Sequence, residues 1–175
     1  MKQPIHTSDV RVAVNPTELG ELEMTARIVA PAAPSEGAPI FFCVPGMSYG
    51  KEYFDLPVDG YSFARTAAEA GCVVVAVDNV GTGESERPRD GAAVTLAAMA
   101  AANAALADGV LTRLGAGDLA AGLPPLRAGR LFGIGHSLGG CLVLLQQAAF
   151  ETFAAIAILG FSNQPLEGIY EEHAR

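Results

Sequence analysis

This sequence has few charges, few cysteines, no basic run and no unbroken apolar stretch of membrane length, and each shortage removes a class of function. Only 17% of its 175 residues are Asp, Glu, Lys or Arg, while 50% are hydrophobic. Much of the chain must therefore be buried, and its length suffices for one domain with its own core. The net charge is −8 and the pI about 4.8. An acidic chain without clustered Lys or Arg is not built to grip nucleic acid or an anionic membrane, and neither is expected as a partner. The three cysteines, Cys43, Cys72 and Cys141, are odd in number, lack metal-ligand spacing and sit in apolar runs. They read as reduced core residues of a reducing compartment. Met1 to Val10 is polar, without the apolar core of a secretory signal, so a cytoplasmic location is expected. The longest apolar stretch, 142–160, is interrupted by Gln146, Gln147 and Glu151, which argues against a transmembrane helix. The chain shows neither an internal repeat nor a low-complexity tail.

Nucleotide chemistry is also poorly supported. Gly81-Thr82-Gly83 follows an apolar run, as a dinucleotide-binding loop would, but position 86 is Glu and no helix is expected to open there. The Lys of a phosphate-binding loop is missing as well. No metal and no organic cofactor are expected.

What is present is an alternation of short apolar runs and alanine-rich segments. Residues 10–14 and 21–30 alternate and read as an antiparallel pair at a sheet edge. Residues 40–44 and 72–77 are apolar throughout and suit central strands covered on both faces. Residues 61–70 read as a short helix stopped by Gly71, and 93–114 as a longer helix with Gly109 as its weak point. A strand at 131–134, a helix at 138–150 and one more buried strand at 153–160 follow. This order predicts an α/β fold, a mostly parallel sheet of about six strands with flanking helices. The loops at the carboxyl ends of its strands gather at one edge, where ligands bind.

The chain is organised around Gly135-His136-Ser137-Leu138-Gly139-Gly140, set between the strand at 131–134 and the helix at 138–150. At a sharp strand-to-helix turn, G-x-S-x-G forms a nucleophile elbow. Such a turn strains the serine backbone and lifts its hydroxyl clear of the sheet. Gly135 and Gly139, without a Cβ, let strand and helix approach closely. The helix N-terminus directs free N–H groups and partial positive charge at the site, which favours an oxyanion. The competing reading of Ser137 is a plain helix cap.

Three segments together, Phe42-Cys43-Val44-Pro45-Gly46-Met47, Val77-Asp78-Asn79-Val80-Gly81-Thr82-Gly83-Glu84-Ser85 and Gly133-Ile134-Gly135-His136-Ser137-Leu138-Gly139-Gly140, resemble strands three, four and five of the α/β-hydrolase fold with their loops. Where that family commonly has His-Gly, this chain has Pro45-Gly46. The resemblance covers about residues 10 to 162. It implies Ser137 as nucleophile and an oxyanion hole made by the backbone N–H groups of Met47 and Leu138. Asp78 and Gly81 to Ser85 are taken as structural, shaping the loop after the fourth strand. A serine at the elbow speaks against the aspartate-nucleophile branches, such as haloalkane dehalogenases and epoxide hydrolases. The expected substrate is a small molecule with an ester or related acyl bond. Tyr49, Tyr53 and Phe54 are candidates to line its apolar pocket, with ordinary loop packing as the alternative.

A serine nucleophile needs a base, and the base an orienting acid. The family order is Ser, then acid, then His. Downstream of Ser137 the only histidine is His173, and the acids are Glu151, Glu167, Glu171 and Glu172. None falls after the seventh or eighth strand that carries these groups in the family, so the triad acid and His are expected to lie outside this chain. His136 is expected to pack at the elbow and His6 to be solvent-exposed. Residues 1–175 thus read as one α/β-hydrolase domain truncated after strand six, inactive alone and prone to self-association through an exposed sheet edge. The alternative is a non-catalytic binding protein of the same fold.

Overall fold

Valine-rich and alternating runs become strands here, and alanine-rich runs become helices, largely where those patterns predict them. The computed structural model describes residues 4–16, 18–127 and 129–162. Along the chain run β1 (Ile5–Val14), β2 (Leu22–Pro31), β3 (Ile40–Val44), α1 (Phe63–Glu69), β4 (Val73–Val77), α2 (Leu96–Ala116), β5 (Leu131–His136), α3 (Leu138–Phe150) and β6 (Ala155–Leu159). They build one sheet in the order β1-β2-β4-β3-β5-β6. β1 and β2 are antiparallel, as is β2 against β4. The other three pairings are parallel.

Period-two patterning places each strand's side chains on alternate faces. Ile40, Phe42, Val44, Val73, Val75 and Val77 join Leu106, Val110 and Leu114 of α2 and Leu142 and Val143 of α3 in the main core. Cys43, Val74 and Ala76 point the other way, onto Ala64, Ala67 and Ala68 of α1. Both sheet faces are therefore covered over β3 and β4, which is why those strands are apolar without alternation. Ser62 caps α1 by accepting the Arg65 N–H at 3.0 Å, and Thr95 caps α2 through Ala98.

Four expectations change. β1 starts five residues earlier than its alternation suggests, because β2 templates it as far as the Ile5–Pro31 pair. His6 consequently sits inside β1 opposite Ala30, half-buried, with its Nε2 enclosed and unpaired, rather than exposed ahead of the strand. Gly109 does not weaken α2. A Cβ there would lie 2.6 Å from Val12 Cγ1, so the glycine lets the helix settle onto β1. β6 is not a buried strand: its residues range from half-buried to exposed, because β5 is the only strand beside it among the described residues. Also among the described residues, no helix is long and apolar enough to cross a membrane.

Candidate active site

β3 and β5 are parallel neighbours, with Val44 opposite Gly135. The chain leaves them in opposite directions, from β3 to β4 on one side and from β5 to β6 on the other. Where outgoing loops part in this way, a crevice opens at the carboxyl ends of the strands. Pro45-Gly46-Met47 leaves one lip of it and Ser137 the other.

Ser137 has φ 53° and ψ −119°. A non-glycine residue in so sparse a region costs about 1–3 kcal/mol and persists only where its surroundings fix it. Here they do. The Ser137 N–H donates to the Leu159 carbonyl at 2.8 Å, extending the β5–β6 ladder. The Ser137 carbonyl accepts from Gly140 N–H at 2.9 Å and Cys141 N–H at 3.3 Å, starting α3. Its side chain makes no capping bond, so the helix-cap reading fails. The residue is half-exposed, and its hydroxyl has no hydrogen-bond partner among the described residues.

The motif glycines are explained by close approach. A Cβ on Gly135 would run into the backbone of Gly139 and lie 2.6 Å from Gly140 N. One on Gly139 would strike the Val44 carbonyl and lie 2.6 Å from that of Pro45. The start of α3 thus lies directly against the end of β3. Gly46 completes the contact, since a Cβ there would lie 3.4 Å from Ser137 Cβ. Met47 follows on an exposed turn, and the next residue, Ser48, also has positive φ, 67°. No hydrogen bond to a described residue uses the N–H of Met47 or of Leu138.

Asp78, at the end of β4, is fully buried. Its Oδ2 accepts from Thr25 Oγ1 at 2.6 Å, Lys51 Nζ at 2.9 Å and Glu84 N–H at 3.1 Å. Its Oδ1 accepts the Lys51 backbone N–H at 2.7 Å. Burial pushes the Asp78 carboxyl up, but these donors outweigh it and hold the carboxyl below its ordinary range. Burial likewise opposes the charge on Lys51, and hydrogen bonding to Asp78 reverses the balance, raising its pKa. The structural reading of Asp78 is right, but its reach is wider than its own loop: it ties β2, the loop after β3 and the loop after β4 together. Lys51, 1% exposed, carries no sequence signal beyond being a lone cation near the Gly46 loop. Asn103 does carry one, an amide alone in an alanine run. It is buried on α2 and donates to Asn79 Oδ1 at 3.1 Å.

Tyr49, Tyr53 and Phe54 pack against one another in a chain of rings. Phe54 is buried in the α1 core. Tyr53 stacks on His136 with ring centroids 4.9 Å apart, and Tyr49 leans on Tyr53 at 5.3 Å from the surface. His136 is thus an elbow-packing residue, its Nδ1 buried and unpaired. Glu151 caps the far end of α3, about 20 Å from Ser137 along a helix of this length, too far to orient a base there. Glu167, Glu171, Glu172 and His173 lie outside the described residues. Among the described residues, no three His, Cys, Asp or Glu side chains gather as a metal ion would require. A cleft of about 400 Å³ between Leu56 and Glu69 is lined by neither Ser137 nor Met47.

Solved structures share this arrangement of elements. An epoxide hydrolase from Vigna radiata is 19% identical with a TM-score of 0.64, over 91% of this chain and 40% of its own. An alpha/beta hydrolase from Novosphingobium aromaticivorans is 20% identical with a TM-score of 0.60, over 87% and 43%. A hypothetical protein from Pseudomonas aeruginosa is 21% identical with a TM-score of 0.62, over 88% and 42%. The chain therefore spans about two-fifths of the length of these structures. No curated protein sequence matches it. A profile of the alpha/beta hydrolase family matches residues 41–171, a span that takes in the Gly46 loop, the Asp78 network and the strained serine turn alike. On that match, carried by three quarters of its residues, this chain belongs to the alpha/beta hydrolase family.

Proposed function

We propose that this chain supplies the nucleophilic half of a serine hydrolase that cleaves an ester or related acyl bond. The observation that carries the reading is the Ser137 backbone, held at φ 53° with its hydroxyl uncommitted at the β3–β5 crevice. Ser137 Oγ attacks the acyl carbon and the alcohol leaves, forming an acyl-enzyme that water then cleaves. The oxygen that becomes negative is received by the N–H groups of Met47 and Leu138. Removing one such donor costs about 3 kcal/mol in the barrier. The reading also needs a base and an orienting acid, and among the described residues none is hydrogen-bonded to the Ser137 hydroxyl.

The likeness to an epoxide hydrolase extends to the fold, and the chemistry of a serine separates the two reactions. A serine oxygen that opens an epoxide forms an ether, which water does not cleave. The same oxygen at an acyl carbon forms an ester, which water does cleave. One observation favours a non-catalytic binding protein: the Ser137 hydroxyl is hydrogen-bonded to no base among the described residues. A fluorophosphonate probe, applied to the protein as its source makes it, decides between them. The hydrolase reading expects one label, mapped to Ser137 and abolished by Ser137→Ala. No label on the native protein contradicts it.

A further inference from the structure

Asp78 and Asn79 follow directly on β4, with β3 between that strand and the elbow strand. Their bonds reach the loop after β3, and they reach it at both ends. At one end Asn79 Nδ2 donates to the Pro45 carbonyl at 3.4 Å. At the other, Asp78 Oδ1 accepts the Lys51 N–H at 2.7 Å. Between those points lies Gly46 to Gly50, the segment that carries Met47. The fit is close. A Cβ on Gly50 would lie 2.6 Å from Asp78 Oδ1, and one on Gly83 would overlap the same carboxylate. Two glycines, from two different loops, leave room for one buried side chain. Asn79 is itself held from behind by Asn103 of α2. Between the two anchors, Ser48 is kept at φ 67°, a conformation that needs outside support.

We propose that Asp78 and Asn79 are positioning residues that clamp both ends of the Pro45–Lys51 loop and hold the Met47 N–H where the oxyanion forms. The inference rests on Met47 as an oxyanion donor. Neither residue touches the reacting atoms; both act through the loop backbone. Preorganised donors work because they need not move as charge develops, so a loosened loop lowers reactivity even when Ser137 is untouched.

Asp78→Asn tests this selectively. Three donors face Oδ2 and one faces Oδ1. The single carbonyl oxygen of asparagine is best placed against the three, which turns its NH2 toward the Lys51 N–H, donor against donor. Lys51 Nζ keeps Glu84 Oε2, at 3.3 Å, as its carboxylate partner while the clamp opens. Thr25→Val is the structural control, since it strips a bond from Oδ2 and leaves the Lys51 N–H bonded. Asn103→Ala is a second variant, remote from the site, that frees the Asn79 amide.

Two quantities are read on the native protein and each variant: hydrogen exchange at the Lys51 amide and the fluorophosphonate labelling rate of Ser137. Asp78→Asn is expected to speed exchange and to slow labelling at least about tenfold, below the ~10²–10³ that loss of a whole donor costs. For an ester substrate its kcat falls while KM holds. Asn103→Ala slows labelling a few-fold. Thr25→Val lowers the melting temperature yet keeps both quantities within about twofold of the parent. Labelling of Asp78→Asn within twofold of the parent overturns the inference, as does Thr25→Val slowing the label equally. A parent that takes no label ends the hydrolase reading instead. Exchange at Lys51 then judges the clamp alone, and an unchanged rate in Asp78→Asn ends that too.

Discussion

β4 and β6 are both five-residue strands built only of aliphatic side chains, Val-Val-Val-Ala-Val and Ala-Ile-Ala-Ile-Leu, yet every residue of β4 is buried and none of β6 is. Their neighbours make the difference. β4 has β2 and β3 beside it and helices over both faces. β6 has β5 on one side and, among the described residues, nothing on the other. Leu159 and Phe161 are exposed there, as are Leu144, Leu145 and Phe150 of α3. The contrast extends to the loops. Just beyond β4, Asp78 bonds Lys51 and Asn79 bonds Asn103 in the interior, whereas the end of β6 meets the elbow through the Leu159 carbonyl, which accepts the Ser137 N–H. Among the described residues, the proposed site thus lies between a buried wall and an open flank. Apolar composition makes a segment fit to be buried, but its neighbours decide whether it is.

The contrast breaks most severely at the seam of β3 and α3. Gly139→Ala drives a Cβ into the Val44 carbonyl, backbone against backbone, where no rotamer offers relief. We expect a loss of about 3 kcal/mol or more, beyond the usual range for overpacking, read as a lowered urea midpoint or as failure to fold. Truncating one residue in each strand sharpens the comparison directly. Val75→Ala in β4 should cost about 2 kcal/mol for lost burial and the cavity left behind. Leu159→Ala in β6 should stay within about 0.5 kcal/mol, as exposed sites do. Equal midpoint shifts for the two would contradict the account.

Acid should act on the wall first. The folded Asp78 carboxyl titrates below its ordinary 3.8, so its contribution to stability is complete above that value and is lost as pH falls through the lowered folded value. Asp9, held low chiefly by its hydrogen bond to Arg27, adds to the same acid limb. In an acid titration followed by hydrogen exchange, amides of the Pro45–Lys51 loop should lose protection before those of α3. The reverse order would show that Asp78 does not govern the loop.

The sequence made most of this layout readable. Apolar runs of four to six residues located β3, β4 and β5, and G-x-S-x-G between a strand and a helix located the turn that strains Ser137. The antiparallel pairing of β1 with β2 followed from their alternation. What escaped depended on distant partners. Nothing local announces that Lys51 is buried, because its counter-ion lies 27 residues on. The sequence marks Gly81 to Ser85 as structural, but not that Gly83 is there to clear the Asp78 carboxylate. Gly109 suggested weakness in a helix until Val12, far away in sequence, supplied the reason for it. β6 was misjudged for the converse reason, since its own residues say nothing of the edge it occupies.

The most direct test of the central claim is to trap the acyl-enzyme. The native protein is mixed with an activated short-chain ester, quenched in acid within the first turnover, digested and mapped by mass spectrometry. The account predicts one acyl group, on the peptide carrying Ser137 and absent from Ser137→Ala. Turnover of the ester with Ser137 unmodified, or undiminished in Ser137→Ala, would contradict it.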